Sequence, residues 1–206
     1  MHVSPRHIAS GHLDEWSLDD KIEVFIARVD GWHLEVADRC INGWQVDGQE
    51  CIDAIDLKGN RTKHIPDSGW AVLQMVLNYF ELIGFYKLEG IGARHREYFI
   101  AGVLDVFPRF REQNVNVPGL LWSDVRSLYH LGISGRVVLK HVEPLVDIYY
   151  DEQRGLVVID PHVFVKTLRE HFEEYAERLR NPLETELRTR FEKAFNTHHK
   201  IKQRAP

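Results

Sequence analysis

The chain has 206 residues, 44% of them hydrophobic and 28% charged, which is typical of a globular protein and excludes disordered and fibrous classes. Its formal net charge of −5 argues against sequence-wide electrostatic binding to nucleic acid, although it allows a local basic patch. The two cysteines, Cys40 and Cys51, match neither a disulfide framework nor a zinc pattern, and they suit a reducing compartment.

The start of the chain has no recognisable targeting signal. Residues 1–15 contain no continuous apolar run, which argues against a signal peptide or a transmembrane segment. We therefore predict a cytoplasmic protein without a membrane partner. The expected organisation is a flexible lead at residues 1–16, a single helical domain at 17–197 with a β insertion at 136–159, and a basic tail at 198–206.

A near-capping box at Ser17 predicts the start of the first helix, because a serine followed by acidic residues satisfies the exposed amides of a first turn. Apolar residues then recur every three or four positions as far as Trp44, which predicts one helix of about 27 residues. The connection at 46–66 is longer than usual loops. The sequence leaves open whether it is mobile, functional or partly structured.

Residues 69–88 form the most apolar stretch and predict a buried central helix. Its polar residues Gln74, Asn78 and Glu81 are spaced i, i+4 and i+7, which places them in one narrow stripe of the helix. A polar stripe within a core has to be satisfied. It either faces polar groups of a neighbouring helix or lines a cleft that water or a ligand can enter.

The remaining elements complete a mainly α fold: a bundle of about five to six helices with a small inserted antiparallel β-hairpin sheet. The turn at residues 151–155, which ends in glycine, predicts the hairpin. Further helices are expected at 94–107, 120–131, 161–180 and 183–196, and strands at 136–139, 145–150 and 156–159.

Arg126 and His130 are the candidate catalytic pair, because residues four apart lie one turn above the other on a helix. Arginine can hold a phosphate through two parallel bonds, and histidine exchanges protons near neutral pH. Trp122 and Tyr129 flank the pair and would make a partly apolar crevice. If this helix packs on residues 69–88, Glu81 could orient His130 or neutralise Arg126.

The segments 79–86 (YFELIGFY) and 124–132 (DVRSLYHLG), together with the long helices, resemble the HEPN superfamily of bacterial defence and toxin systems. Many members of that family are metal-independent ribonucleases. Their active site is an arginine followed after four to six residues by a histidine, often at a dimer interface. The resemblance places these roles on Arg126 and His130, with Ser127 at the position after the arginine. Three residues separate the pair here, and Ser127 stands where many active members have asparagine.

The resemblance implies RNA-cleaving or RNA-binding activity in a bacterial defence or toxin–antitoxin system, with RNA, a second copy of the chain or an antitoxin as partner. No cofactor or metal is implied. The supporting residues of the predicted site are Gln74, Asn78, Glu81, Asp124, Ser127 and Tyr129.

Other interpretations of the same residues remain open. Arg126 could pair with Asp124 or Glu81 and His130 with a loop carbonyl, so that both serve structure only. The stripe on residues 69–88 could fix helix register instead of forming a site. The chain would then be a non-catalytic helical module for protein interaction or self-association. If the stripe lines a cavity, the chain would instead bind a small molecule.

Overall fold

The structure is a computed structural model that describes residues 15–42, 69–90, 92–131, 135–140 and 146–200, with six short strands before residue 63. Within residues 125–131 it describes the backbone alone. Cys51 lies outside the described residues, as does Ser68, whose position directly before residues 69–88 predicts a helix cap.

Helix α1 (Leu18–Val29) begins at the predicted capping box. The Ser17 hydroxyl accepts from the N–H of Asp20 at 3.1 Å, and the Asp20 carboxylate accepts from the N–H of Ser17 at 3.0 Å. A π-helical turn, Asp30–Leu34, then leads into α2 (Glu35–Asn42). The predicted long helix therefore contains a wider turn, which apolar spacing does not reveal because it tracks an average of 3.6 residues.

The six short strands form three antiparallel pairs. Strand β1 (His2–Ser4) pairs with β2 (His7–Ile8), within residues predicted to be a flexible lead. The connection at 46–66 is partly structured, which was one of the alternatives for it. Its pairs are β3 (Gln45–Val46) with β4 (Gln49–Glu50), and β5 (Ala54–Ile55) with β6 (Arg61–Thr62).

Helix α3 (Gly69–Lys87) is the buried central helix that the sequence predicts, and α4 (His95–Val106) packs antiparallel against it. Two glycines allow the backbones to touch. A Cβ on Gly84 would lie 1.7 Å from the carbonyl oxygen of Tyr98, and one on Gly102 would lie 1.9 Å from that of Phe80. Larger residues would force the two helices apart.

The other helices lie close to their predicted positions. A short 3-10 helix (Pro108–Arg111) precedes α5 (Val117–Leu131), which starts earlier than predicted because Asn116 caps it by accepting from the N–H of Gly119 at 2.9 Å. Helix α6 (Pro161–Arg180) begins after Asp160, whose side chain caps it by accepting from the N–H of His162 at 3.1 Å. The last helix, α7 (Thr185–His198), runs two residues beyond the predicted end.

The sheet contains the predicted hairpin, since β8 (Ile148–Asp151) and β9 (Leu156–Ile159) are antiparallel. The third strand, β7 (Val137–Leu139), corrects the prediction of a wholly antiparallel sheet. It lies on the other side of β9 and runs parallel to it, so the sheet is mixed, with β9 in the centre. The chain crosses β9 between β7 and β8, a topology that strand periodicity cannot specify.

The core surrounds α3 and contains many aromatic rings among its aliphatic side chains. Tyr86 stacks on Phe191 of α7 with 5.0 Å between ring centroids, and Phe25 of α1 meets Tyr86 edge-on at 4.7 Å. Nearer the middle of α3, Phe80 packs against Phe164 of α6. In the part of the chain that the structure describes, the helices predominate and pack with the small sheet β7–β9, which confirms the predicted mainly α fold class.

Candidate ligand-binding cavity

A cavity of about 690 Å³ lies between α1 and its π-helical turn, α3, the start of α4 and the end of α7. We call it the histidine cavity because His33, His95, His198 and His199 line it. Its volume is within the range of small-molecule sites, which is about 300–1,000 Å³.

Aromatic side chains form much of the cavity wall. Phe85 contacts Tyr98 edge-on at 5.3 Å and Tyr86 at 5.6 Å, which joins α3 to α4. Trp32, from the π-helical turn, is 48% exposed although it lies beside the core. Rings of this kind offer flat surfaces on which a planar ligand can stack.

Arg28 brings a positive charge into this aromatic wall. Its guanidinium lies 6.0 Å from the ring centroid of Trp32 and donates to Nε2 of His199 at 3.1 Å. Burial lowers the pKa of Arg28, but an arginine stays charged at neutral pH. A partly desolvated cation at a cavity wall favours an anionic ligand, because water no longer screens it fully.

His199 accepts the bond from Arg28 only in its neutral form, since a guanidinium can only donate. Burial, together with the nearby His198 and Arg28, lowers the pKa of His199 to about 4. The ring of His199 also packs on Phe195 at 4.4 Å, and His198 packs on Phe85 at 5.7 Å. Both residues, which the sequence assigned to a basic tail, therefore belong to the cavity wall.

His33 lies in the π-helical turn and also faces the histidine cavity. Burial lowers the pKa of His33, although the nearby backbone carbonyl of Met75 raises it, and the ring is therefore neutral at pH 7. A neutral imidazole has one nitrogen that can accept a proton.

His95 stands at the start of α4 and forms a hydrogen bond with the carboxylate of Glu81 of α3 through its Nδ1 atom. The imidazole is 75% exposed, whereas the Glu81 carboxylate is 25% exposed. A carboxylate on Nδ1 fixes the ring and leaves Nε2 as the nitrogen that can meet a ligand.

The predicted polar stripe is divided between two environments. Asn78 and Glu81 line the histidine cavity, as expected for a stripe that borders a cleft. Gln74, one turn before Asn78, is half-buried and is not among the residues that line the cavity.

The predicted catalytic residues Arg126 and His130, with Ser127 and Tyr129, belong to α5, but their side chains lie outside the described residues. Helix α5 packs on α4 and on strands β7 and β9. Asp124 bonds to the Nε of Arg136 at 3.1 Å and to its backbone N–H at 3.0 Å, which fastens α5 to the start of β7.

A second cavity, of about 450 Å³, adjoins this ion pair and is lined in part by Arg96, Asn116, Ser123 and Arg136.

Sequence reasoning missed Arg28, His33 and His95, and it placed His198 and His199 in a tail. One signal was present: Arg28 and Trp32 are four residues apart on one helix, so they had to share a face. The histidines carry no such signal, because they come from three separate helices that only the tertiary fold joins.

Among the described residues, no group of three or more histidine, cysteine, aspartate or glutamate side chains is arranged to hold a metal ion. In the same part of the chain, every helix is too short or too polar to cross a membrane.

Comparison with protein-family models, with curated proteins and with solved structures finds no match to this chain. Function is therefore inferred from the geometry of the histidine cavity.

Proposed function

We propose that the histidine cavity binds an anionic ligand that carries an aromatic ring, and that this ligand is a nucleotide unit of RNA. The observation that carries the proposal is the position of Arg28, a partly buried cation within an aromatic wall. The guanidinium suits a phosphate, and the rings of Trp32 and Phe85 suit stacking on a base.

The overall charge supports a short ligand. A net charge of −5 does not favour wrapping of a long polyanion, whereas one cationic group in a cavity can hold one phosphate. We therefore expect recognition of one or two nucleotides at a strand end or in a loop. A cytoplasmic location, where such RNA occurs, belongs to the same proposal.

Isothermal titration with nucleoside monophosphates, the matching nucleosides and short single-stranded RNAs tests this function. We expect the phosphorylated ligands to bind and the nucleosides to bind at least tenfold more weakly. Arg28→Gln should lose at least tenfold in affinity, because the side chain keeps its polar end without its charge.

Arg154→Gln is the matched control, since Arg154 lies in the exposed turn between β8 and β9 and does not line the cavity. It should bind like the wild type. Equal affinity of the wild type and Arg28→Gln for the phosphorylated ligands would contradict the proposal.

A second candidate is the ribonuclease that the HEPN resemblance implies, as a component of a bacterial defence or toxin–antitoxin system. The helical bundle supports it, because that is the fold class the resemblance implies. Arg126 would stabilise the charge that develops on the phosphate, and His130 would act as acid or base. Metal-free RNA cleavage by the wild type, Arg126→Ala and His130→Ala tests it, with folding checked by circular dichroism. Unchanged cleavage in both variants would exclude this site.

The third candidate is a helical module for a protein partner, such as an antitoxin, or for a homodimer. Two exposed apolar side chains support an interaction surface of this kind. They are Trp32 in the π-helical turn and Val36 in α2, which are four residues apart. Sedimentation analysis of the wild type and of Val36→Ser tests self-association. A monomer at all concentrations would exclude the homodimer.

A further inference from the structure

The second cavity, of about 450 Å³, lies between the start of α4, the first two turns of α5, the residue before β7 and the β8–β9 hairpin. We call it the arginine cavity because Arg96 and Arg136 both line it. Its volume is within the range of small-molecule sites, about 300–1,000 Å³. Its described lining residues include no carboxylate, although the whole chain has a net charge of −5. A local excess of cationic groups of this kind favours an anion.

Arg136 is held in place by the side chains behind it. Its Nε atom donates to the carboxylate of Asp124 at 3.1 Å, and its Nη2 atom donates to the hydroxyl of Ser123 at 3.1 Å. Asp124 is 9% exposed, whereas Arg136 is 51% exposed. Among the described residues, no hydrogen bond engages the Nη1 atom of Arg136. That atom is therefore a donor with a fixed position, which lowers the entropic cost of binding a ligand.

Arg96 brings the second guanidinium from α4. It stands one turn before Phe99, on the side of α4 where Phe99 contacts Trp122 of α5 with 5.3 Å between ring centroids. In the described part of the chain, no ion pair or hydrogen bond engages the Arg96 side chain. Its N–H groups can therefore all turn to a ligand.

Two uncharged donors, from Asn116 and Tyr150, also face the arginine cavity. The side-chain oxygen of Asn116 caps α5 by accepting from the N–H of Gly119 at 2.9 Å, which leaves the amide nitrogen as a donor. That nitrogen lies 2.6 Å from the place of a Cβ on Gly119, so a glycine there makes room for it. The Tyr150 hydroxyl makes no hydrogen bond to any described residue. Both groups can donate to an anion.

The rest of the wall is apolar. Val115, Leu120 and the ring of Tyr150 line the cavity and are partly buried against the core. An inorganic anion would leave these surfaces in water, whereas an organic ligand would cover them. The wall therefore favours an anion with an apolar body.

The balance of charge selects the kind of anion. Asp124 compensates the charge of Arg136 from behind, whereas Arg96 has no such partner among the described residues. About one positive charge is thus left for a ligand. A carboxylate matches it, while a phosphate monoester with two charges would keep one of them uncompensated.

We propose that the arginine cavity binds a small carboxylic acid with an apolar body, whose carboxylate bridges Arg96 and the Nη1 atom of Arg136. Asn116 and Tyr150 complete its hydrogen bonds, and the apolar wall covers its body. The residues that line this cavity and those that line the histidine cavity have no member in common. The inference therefore does not depend on nucleotide binding.

Isothermal titration of the whole chain with benzoate, benzamide and phenyl phosphate tests the inference. Benzoate should bind with saturation, and benzamide, which has a similar shape without the charge, should bind at least tenfold more weakly. Phenyl phosphate should bind more weakly than benzoate. The site is refuted if the wild type does not bind benzoate, and the choice of a carboxylate is refuted if phenyl phosphate binds more tightly.

Arg96→Gln should lose at least tenfold in affinity for benzoate, because it removes the uncompensated charge. Lys166→Gln is the control, since Lys166 is an exposed cation of α6 that does not line the cavity. It should bind benzoate like the wild type. Equal affinities of Arg96→Gln and the wild type would overturn the proposal.

Asn116→Asp separates binding from folding. An aspartate caps a helix as well as an asparagine does, so the urea midpoint should not fall. The substitution replaces a donor by a negative charge, so benzoate should bind at least tenfold more weakly. Wild-type affinity in this variant would contradict the placement of the carboxylate. Tyr150→Phe should show a smaller loss, of about threefold.

Arg28→Gln tests whether benzoate enters the histidine cavity instead, since Arg28 lines that cavity alone. Loss of benzoate binding in Arg28→Gln, together with wild-type affinity in Arg96→Gln, would place the carboxylate there and overturn the inference. If nucleotides do not bind but benzoate binds through Arg96, the proposed function fails and this inference stands.

Discussion

Arg28 on α1 and His199 after α7 are 171 positions apart in the chain, yet a guanidinium nitrogen of Arg28 donates to Nε2 of His199 at 3.1 Å. The bond lies at the wall of the histidine cavity and joins α1 to the residue that follows α7. It holds only while His199 is neutral, because a protonated ring has no acceptor to offer.

Acidification should therefore weaken the protein through His199. Its pKa is about 4 in the folded protein and 6.5 ordinarily, so the unfolded chain binds more protons between these values. The stabilising contribution is complete above pH 6.5 and is lost as the pH falls to 4. Because the ring is partly exposed, we expect a loss on the order of 1 kcal/mol after screening.

Urea unfolding at pH 7 and pH 4.5 measures this loss. His199→Gln should show a smaller drop than the wild type, because the glutamine amide oxygen can accept from Arg28 but does not titrate. The exposed His162→Gln variant is the control and should drop like the wild type. Equal drops in the wild type and His199→Gln would refute the assignment.

Ligand binding should take up protons. An anion beside His33 raises its lowered pKa, so the complex binds more protons than the free protein. Affinity for a nucleoside monophosphate should thus rise as the pH falls from 8 to 6, beyond what the phosphate's own titration explains. Titration calorimetry in two buffers of different ionisation enthalpy measures the uptake, and a nucleoside without phosphate should show none.

Gly84→Ala should destabilise the protein by about 3 kcal/mol or more, because the new methyl group would overlap the carbonyl oxygen of Tyr98 and push α4 from α3. Gly135→Ala is the matched control, since a Cβ there meets nothing within 4 Å and the residue is exposed. Urea unfolding should show the loss in the first variant alone. Near wild-type stability of Gly84→Ala would mean that the helices can separate at little cost.

Asp124→Asn should destabilise the protein by about 1–3 kcal/mol. The substitution removes the charged carboxylate that accepts hydrogen bonds from both the side chain and the backbone N–H of Arg136. Burial of Asp124 raises the pKa of its carboxyl, but the hydrogen bonds from Arg136 and Ser123 together lower this pKa by more. The net shift of the pKa is therefore downward. The exposed Glu152→Gln is the control and should leave the urea midpoint unchanged. A midpoint of Asp124→Asn equal to that of the wild type would show that the pair contributes no net stability.

The local elements followed closely from the sequence. Capping at Ser17 and Asp160 fixes two helix starts because each side chain satisfies the amides next to it, and the turn at 151–155 fixes the hairpin. The parallel pairing of β7 and the π-helical turn were missed. The pairing of β7 and the π-helical turn both depend on the elements that pack against these segments. The spacing of apolar residues along the chain carries no information about those neighbours.

The sequence by itself determined the helices, the hairpin and the polar stripe of α3, because propensity, capping and periodicity act between residues a few positions apart. Only the tertiary structure decided which polar groups meet. Glu81 faces His95 and Arg28 faces His199 because α3, α4, α1 and α7 converge around one aromatic core. A cavity of this kind is made of side chains from distant parts of the chain, and the packing that brings them together is a property of the whole fold.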